Sequence, residues 1–355
     1  MKRITAIFLA AFLLFAMPSK ALGISASAYA VIEQSTGRLL YGKNENKKMT
    51  MASTTKVMTA LLVIENLDLD KEYEIPSEAV GIEGSSIYLT KGERLTGREL
   101  LYGLMLASGN DAAYALAILT AGSTEAFIEK MNAKANLMGL KNTHFADPCG
   151  LKSKNHYTTA LDLAQLCAYA MNLPTFAQVV STQNYQISGK NGVRYLHNKN
   201  RVLGELQGGN GIKTGYTTAA GRCLCSSATR NGMQLICVVL NDYAWFEDSK
   251  ALLNKGFEEY SMVQLAEKNK ICASCDIFGG KMKKCDIIYG KDVFYPLKKG
   301  ERVIGKTLLP ERINAPVNKG DVAGNQYYYL NGEKITQADL VYSESVKKKF
   351  FNFLR

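Results

Sequence analysis

The spacing of apolar positions changes character three times along the chain. From Ile24 to Tyr41 it has period two: Ala26, Ala28, Ala30 and Ile32 share one face, and Ser25, Ser27, Tyr29 and Val31 the other. Ser35-Thr36-Gly37 supplies a turn and Leu39-Leu40-Tyr41 resumes, which predicts two strands. A helical period follows. Ser53 opens it, and Val57, Met58, Leu61, Leu62 and Ile64 fall on one side. Further helices are predicted over residues 96–106, 111–120, 124–138 (stopped by Gly139) and 159–171. After Pro174 the pattern turns to strands. Tyr185-Gln186-Ile187 ends at a Ser188-Gly189 turn, and Ile212-Lys213-Thr214 follows a glycine-rich turn. Residues 222–229 and 234–241 read as paired strands joined by Arg230-Asn231-Gly232. A long closing helix is predicted over 245–260. Helices enclosed between an N-terminal hairpin and later strands predict an α/β (α+β) fold, with one antiparallel sheet flanked by helices.

From about residue 265 short strands, turns and lysines take over, at 286–289, 293–295, 302–309 and 326–330, which predicts a small all-β domain. The last residues differ again. Val346, Phe350, Phe353 and Leu354 recur at helical spacing beside Phe351, Lys347, Lys348, Lys349 and Arg355. A basic amphipathic helix of this kind lies in a membrane interface or caps the β domain, and the membrane is the favoured expectation. At the other end, Lys2 and Arg3 precede a short apolar run from Ile4 to Met17, then Pro18 and small residues, as in a secretory signal. The expected layout is therefore a signal over 1–23, a catalytic domain over 24–264, a β-rich domain over 265–342 and a tail over 343–355.

Composition adds less. At 47% hydrophobic and 21% charged, disorder is excluded. The formal net charge is +11. The bases and acids of 24–264 nearly balance, so the excess sits in the C-terminal part. For an exported protein this excludes nucleic acid as a partner and points to an anionic membrane or wall polymer. The eight cysteines read as buried small thiols. Cys272, Cys275 and Cys285 have no histidine after them to complete a zinc site, so neither metal nor cofactor is expected.

Three motifs carry the chemistry: Ser53-Thr54-Thr55-Lys56, Ser108-Gly109-Asn110 and Lys213-Thr214-Gly215. Each alone is weak, since Ser-x-x-Lys recurs at 345–348 and Ser-x-Asn at 153–155, but the ordered set is not. Ser53 at a helix start is the candidate nucleophile, and the positive end of the helix helps hold a developing oxyanion. Lys56, one turn on, can take the serine proton only if its pKa falls; burial and a nearby cation both act that way, and Lys213 is the obvious cation. Ser108 can relay a proton to a leaving amine, and Asn110 can hydrogen-bond a peptide backbone. Lys213 and Thr214 suit a terminal carboxylate, and Gly215 lets its strand approach. Backbone N–H groups of Ser53 and Tyr216 are the expected oxyanion donors. His144, His156 and His197 read as structural.

These motifs sit in longer matches: Ala52-Ser53-Thr54-Thr55-Lys56-Val57-Met58-Thr59-Ala60, Ser108-Gly109-Asn110-Asp111-Ala112-Ala113, His156-Tyr157-Thr158-Thr159-Ala160-Leu161-Asp162-Leu163-Ala164 and Gly211-Ile212-Lys213-Thr214-Gly215-Tyr216-Thr217. From about Ile24 onward the chain resembles the D-alanyl-D-alanine carboxypeptidases, the low-molecular-mass penicillin-binding proteins. The resemblance implies a β-lactamase/transpeptidase-like fold, a β-rich second domain and a C-terminal membrane anchor. It implies peptidoglycan stem peptides ending in D-Ala-D-Ala as substrate, a Ser53 acyl-enzyme, acylation by penicillin and other β-lactams, and a place in wall biosynthesis outside the cytoplasm. Two positions depart from the pattern: Asn210 stands where an acidic residue is common, and Met51 where proline is. A class A β-lactamase would share the triplets but needs Glu-x-x-Leu-Asn between the second and third, which is absent. A wall-binding scaffold without turnover would not need all of Ser53, Lys56, Ser108 and Lys213.

Overall fold

The computed structural model describes residues 23–151, 154–189 and 192–349, so residues 1–22 of the expected signal lie outside it. The chain opens with the hairpin β1 (Ala28–Glu33) and β2 (Leu39–Lys43). A 3₁₀ turn, Ala52–Thr55, leads into α1 (Lys56–Asn66). A short ribbon of β3 (Glu72–Glu74) and β4 (Arg94–Thr96) was not expected from the sequence; it precedes α2 (Gly97–Met105). Then come α3 (Asn110–Ala121), α4 (Thr124–Leu137) and α5 (Ala160–Met171). Caps set several boundaries: Thr96 and Glu99 close a capping box on α2, and Thr159 caps α5 through the Asp162 N–H.

Beyond Pro174 the sequence reading needs correction. The proline does not end helical structure; it starts α6 (Pro174–Ser181), occupying a first-turn position where its missing N–H costs nothing. The hairpin β5 (Asn184–Gly189) and β6 (Gly192–His197), then the single turn α7 (Val202–Glu205), lead to β7 (Gly209–Thr217), β8 (Gly221–Arg230) and β9 (Met233–Leu240). These join the first hairpin in one sheet of order β2-β1-β9-β8-β7, antiparallel throughout, with β7 at its edge. The expected closing helix is α8 (Trp245–Glu259).

The sheet is apolar on both faces. Ala28, Ala30, Ile32, Cys223, Cys225 and Val238 face the helices α1 to α6, while Val31, Leu224, Leu235 and Cys237 face α8 through Phe246, Leu252 and Leu253. The alternation read from β1 is therefore real, but both of its faces are covered. All eight cysteines are free thiols, and six of them are buried.

The C-terminal part is all-β. It comprises β10 (Tyr260–Ala266), β11 (Ile271–Phe278), β12 (Lys284–Tyr289), β13 (Val293–Lys298), β14 (Val303–Leu308), β15 (Ile313–Asn314), β16 (Val322–Leu330) and β17 (Glu333–Tyr342). Six of these form a sheet of order β14-β16-β17-β12-β11-β15, and β10 pairs with β13. Arg38 ties this part to the first, with Nη2 2.6 Å from Glu301 Oε1 and its guanidinium over the Tyr260 and Tyr295 rings.

The amphipathic helix expected from residue 343 does not begin there. Val346 bridges to Val317, the Lys349 N–H donates to Gly279 O, and Val346 is 1% exposed in the β core. The strand-like run pairs its backbone with Val317 and Gly279 and at the same time seats the Val346 side chain in the β core. Phe350, Phe351, Phe353, Leu354 and Arg355 lie outside the described residues.

Candidate active site

Ser53 lies in the 3₁₀ turn rather than in α1 itself. That refines the geometry, because side chains three apart eclipse in a 3₁₀ turn. Lys56 Nζ is 3.0 Å from Ser53 Oγ. The turn is braced from beneath. The Ala146 N–H donates to His156 Nδ1 at 3.0 Å, so the ring proton is on Nε2, which donates to Thr55 Oγ1 at 2.7 Å. Thr55 Oγ1 passes a hydrogen bond to Ala52 O at 2.8 Å. A neutral His156 thus supports the turn from its side away from the cleft. Gly150, at φ +88°, presses so close that a Cβ there would stand 1.9 Å from Ala52 O.

Lys56 is 0% exposed and donates also to Asn110 Oδ1 at 2.7 Å and Cys149 O at 3.0 Å. Burial lowers its pKa from 10.5 to about 8; the Cys149 thiol and Asp147 oppose the shift and the Lys199 ammonium adds to it. Asp147 itself is occupied, accepting the Cys149 and Gly150 N–H groups. A lysine with this pKa is neutral in an appreciable fraction near neutrality. It can then accept the Ser53 proton across the contact in which its ammonium donates.

The second motif sits between α2 and α3. Ser108 is buried with φ +64° and lines the cleft. Asn110 is engaged at both ends of its amide: Oδ1 takes Lys56, and Nδ2 donates to Glu83 O at 2.6 Å. In this structure it positions Lys56 and the loop, which the expectation of a substrate contact did not include.

The third motif lies on β7. As the edge strand, β7 presents to the cleft backbone groups that the sheet does not use. It passes so close to the serine turn that a Cβ on Gly215 would be 2.9 Å from Ser53 N and 3.0 Å from Thr54 N. Tyr216, beyond it, is an exposed ring at the mouth. Lys213 is buried, its Nζ donating to Thr214 O at 2.9 Å. Burial, then Lys56 and Lys199, push its pKa well down. Lys199 is a further cation acting on Lys56, and Lys56 and Lys213 each disfavour the other's charge.

The cleft, of about 290 Å³, is lined by Ser53, Ser85, Ser108, Lys199, Thr214, Gly215, Tyr216 and Trp245. The sequence reading named five of these. It missed Ser85, Lys199 and Trp245. Lys199 stands between two buried asparagines, Asn198 and Asn200, without hydrophobic period or family triplet to mark it. The described residues contain no group of metal-ligating side chains.

This geometry has relatives. A family model described as D-alanyl-D-alanine carboxypeptidase matches residues 16–244, and one described as Penicillin-binding protein 5, C-terminal domain, matches 260–348. The chain is 34% identical over 343 residues to the D-alanyl-D-alanine carboxypeptidase DacF of Bacillus subtilis, covering 93% of this chain and 88% of that one. It is 30% identical to DacA of Escherichia coli K12, over 92% and 85%. The crystal structure of penicillin binding protein 5 from Haemophilus influenzae superposes with a TM-score of 0.79 at 28% identity, over 93% of this chain and 100% of that one. With similarity running through both domains and the three motifs brought together in one cleft, the chain belongs to the D-alanyl-D-alanine carboxypeptidase family.

Proposed function

We propose that Ser53, Lys56, Ser108 and Lys213 carry out serine-type removal of the terminal D-alanine from peptidoglycan stem peptides. The observation that carries this assignment is the 3.0 Å contact of Lys56 with Ser53 Oγ, made by a buried lysine whose pKa is lowered to about 8. The substrate carboxylate enters beside Lys213, Lys199 and the Thr214 hydroxyl. Its negative charge favours the ammonium form of Lys213. Neutral Lys56 takes the Ser53 proton, and Oγ attacks the carbonyl carbon of the penultimate D-alanine. The N–H groups of Ser53 and Tyr216 hold the oxyanion. As the C–N bond breaks, the proton passes from Lys56 through Ser108 to the leaving amine. Water, activated by Lys56, then hydrolyses the ester and restores Ser53.

Penicillin acylates the same serine. Release is slow because no Glu-x-x-Leu-Asn segment stands between the second and third motifs, and two acids that act on Lys56, Asp147 and Asp111, are committed to backbone N–H groups. No helix among the described residues is long and apolar enough to cross a membrane. Residues 350–355, with the basic β domain, would hold the enzyme at the anionic outer face of the cytoplasmic membrane.

The test is to incubate purified protein with labelled penicillin and, separately, with diacetyl-Lys-D-Ala-D-Ala. Stable labelling on Ser53 together with D-alanine release is the expected result. Rapid penicillin turnover would instead identify a lactamase, and absence of both reactions a scaffold.

A further inference from the structure

Two walls flank the cleft, and they come from distant parts of the chain. The first is the loop 83–93. Asn110 holds its near end, donating from N to Ser85 O at 2.7 Å and from Nδ2 to Glu83 O. The Asp111 carboxylate shapes the middle, accepting from Ser86 Oγ at 2.6 Å and from the N–H groups of Ile87 and Leu89. At the apex Tyr88 takes φ +59°, and its side chain projects 81% exposed. A bulky residue in that conformation persists only where its surroundings enforce it.

The second wall is the segment 198–200, which carries Lys199 and continues directly from the β5–β6 hairpin. Asn198 Nδ2 donates to Val180 O and Thr182 O at 3.1 Å, and Asn200 Nδ2 donates to Cys225 O, opposite Lys213 in the sheet. Arg194, in β6, reaches across to the first wall. Its Nη1 lies 2.6 Å from Glu93 Oε1 and its Nη2 2.8 Å from Glu93 Oε2, and Nη2 also donates to Tyr88 O at 3.0 Å. Glu93 is 0% exposed and accepts the Thr90 N–H as well.

A desolvated ion pair is a poor way to gain stability, since apolar side chains of similar volume would do as well. A two-pronged guanidinium–carboxylate contact does supply a fixed distance and rotation between the segments it joins. We propose that Glu93 and Arg194 are positioning residues: they clasp the two walls at the separation that sets Lys199 opposite a carboxylate while Ser53 is acylated. The inference rests on the reading of Lys199 as a carboxylate contact. The clasp acts on binding and acylation. Hydrolysis starts from an acyl-enzyme in which the carboxylate is already bound and Ser53 already esterified, so it depends on the clasp much less.

The test uses R194K, which keeps the charge and loses the fork, and E93Q, which keeps the shape and loses the charge. Each is made alone and together with K199M. Melting temperature, the second-order rate of acylation by penicillin and the hydrolysis rate of the penicilloyl-enzyme are measured well below melting. R194K is expected to slow acylation by about ten- to a hundredfold, in line with misplacement of a binding group by an ångström or less. Its hydrolysis rate should stay within twofold of wild type, and in the K199M background R194K should add little. A lowered melting temperature with unchanged acylation would make the pair structural and overturn the clasp, as would R194K and K199M effects that simply multiply. Wild-type acylation in K199M alone would remove the carboxylate role of Lys199 and overturn the clasp with it, while the assignment of Ser53 and Lys56 would stand on labelling and D-alanine release. Should R194K not fold, E93Q carries the same comparisons.

Discussion

Lys56 must be neutral to take the Ser53 proton, so the rate of acylation should follow its titration in the free enzyme. With a pKa of about 8, only about one molecule in a hundred has neutral Lys56 at pH 6, against half at pH 8. The substrate carboxylate does not titrate in this range. The second-order acylation rate by penicillin should therefore rise about fiftyfold from pH 6 to pH 8 and level off above it. The same burial has a thermodynamic signature. A folded pKa of about 8 against 10.5 in the unfolded chain amounts to about 3 kcal/mol. The folded state holds the charge less readily than the unfolded one, so the penalty is full below pH 8. Stability is regained as pH rises from about 8 to about 10.5. K56M has no such group, so the wild-type stability relative to K56M should climb by about 3 kcal/mol across that window. Stopped-flow acylation with a chromogenic β-lactam and urea unfolding at each pH provide the measurements. An acylation rate that is flat between pH 6 and pH 8 would refute the assignment of Lys56 as the base. A wild-type minus K56M difference that does not change with pH would refute the burial argument.

Two other predictions test particular contacts. G215A places a Cβ 2.9 Å from Ser53 N, where β7 and the serine turn must part, so penicillin labelling should fall by about 10²- to 10³-fold, as when an oxyanion donor is lost, while far-UV circular dichroism stays native. Deleting residues 350–355, and not the docked run before them, should abolish flotation with anionic lipid vesicles and leave soluble-peptide hydrolysis unchanged; deleting from Ser343 should in addition lower the melting temperature, because Val346 is part of the β core.

Much of the fold was legible in the residues, and the exceptions have definite causes. The long helices announced themselves because their apolar faces repeat over three turns or more, and threonine caps marked α2 and α5. The helix α6 was hidden by the proline that begins it, since proline reads equally as a stop and as a start. The tail misled because Val346 and Phe350 have the spacing of a helix, yet the exposed backbone of the β domain offers residues 346–349 better partners.

The three triplets belong to the sequence, because Ser-x-x-Lys, Ser-x-Asn and Lys-Thr-Gly each group reactive side chains within one turn or one strand, where local geometry is set by the neighbouring residues. All eight residues so identified pack around Ser53 or line its cleft, Tyr216 at the mouth. What tertiary structure alone decided is electrostatic. Which lysine is buried, which of its neighbours is charged and which acid is already occupied depend on segments brought together from residues 53, 110, 149, 199 and 213. Desolvation and Coulomb interactions act through space and leave no periodic trace along a chain. For that reason Lys199 was invisible in the sequence, while Lys213, which its motif marked, shares with Lys56 a burial and a mutual repulsion that only the folded chain creates.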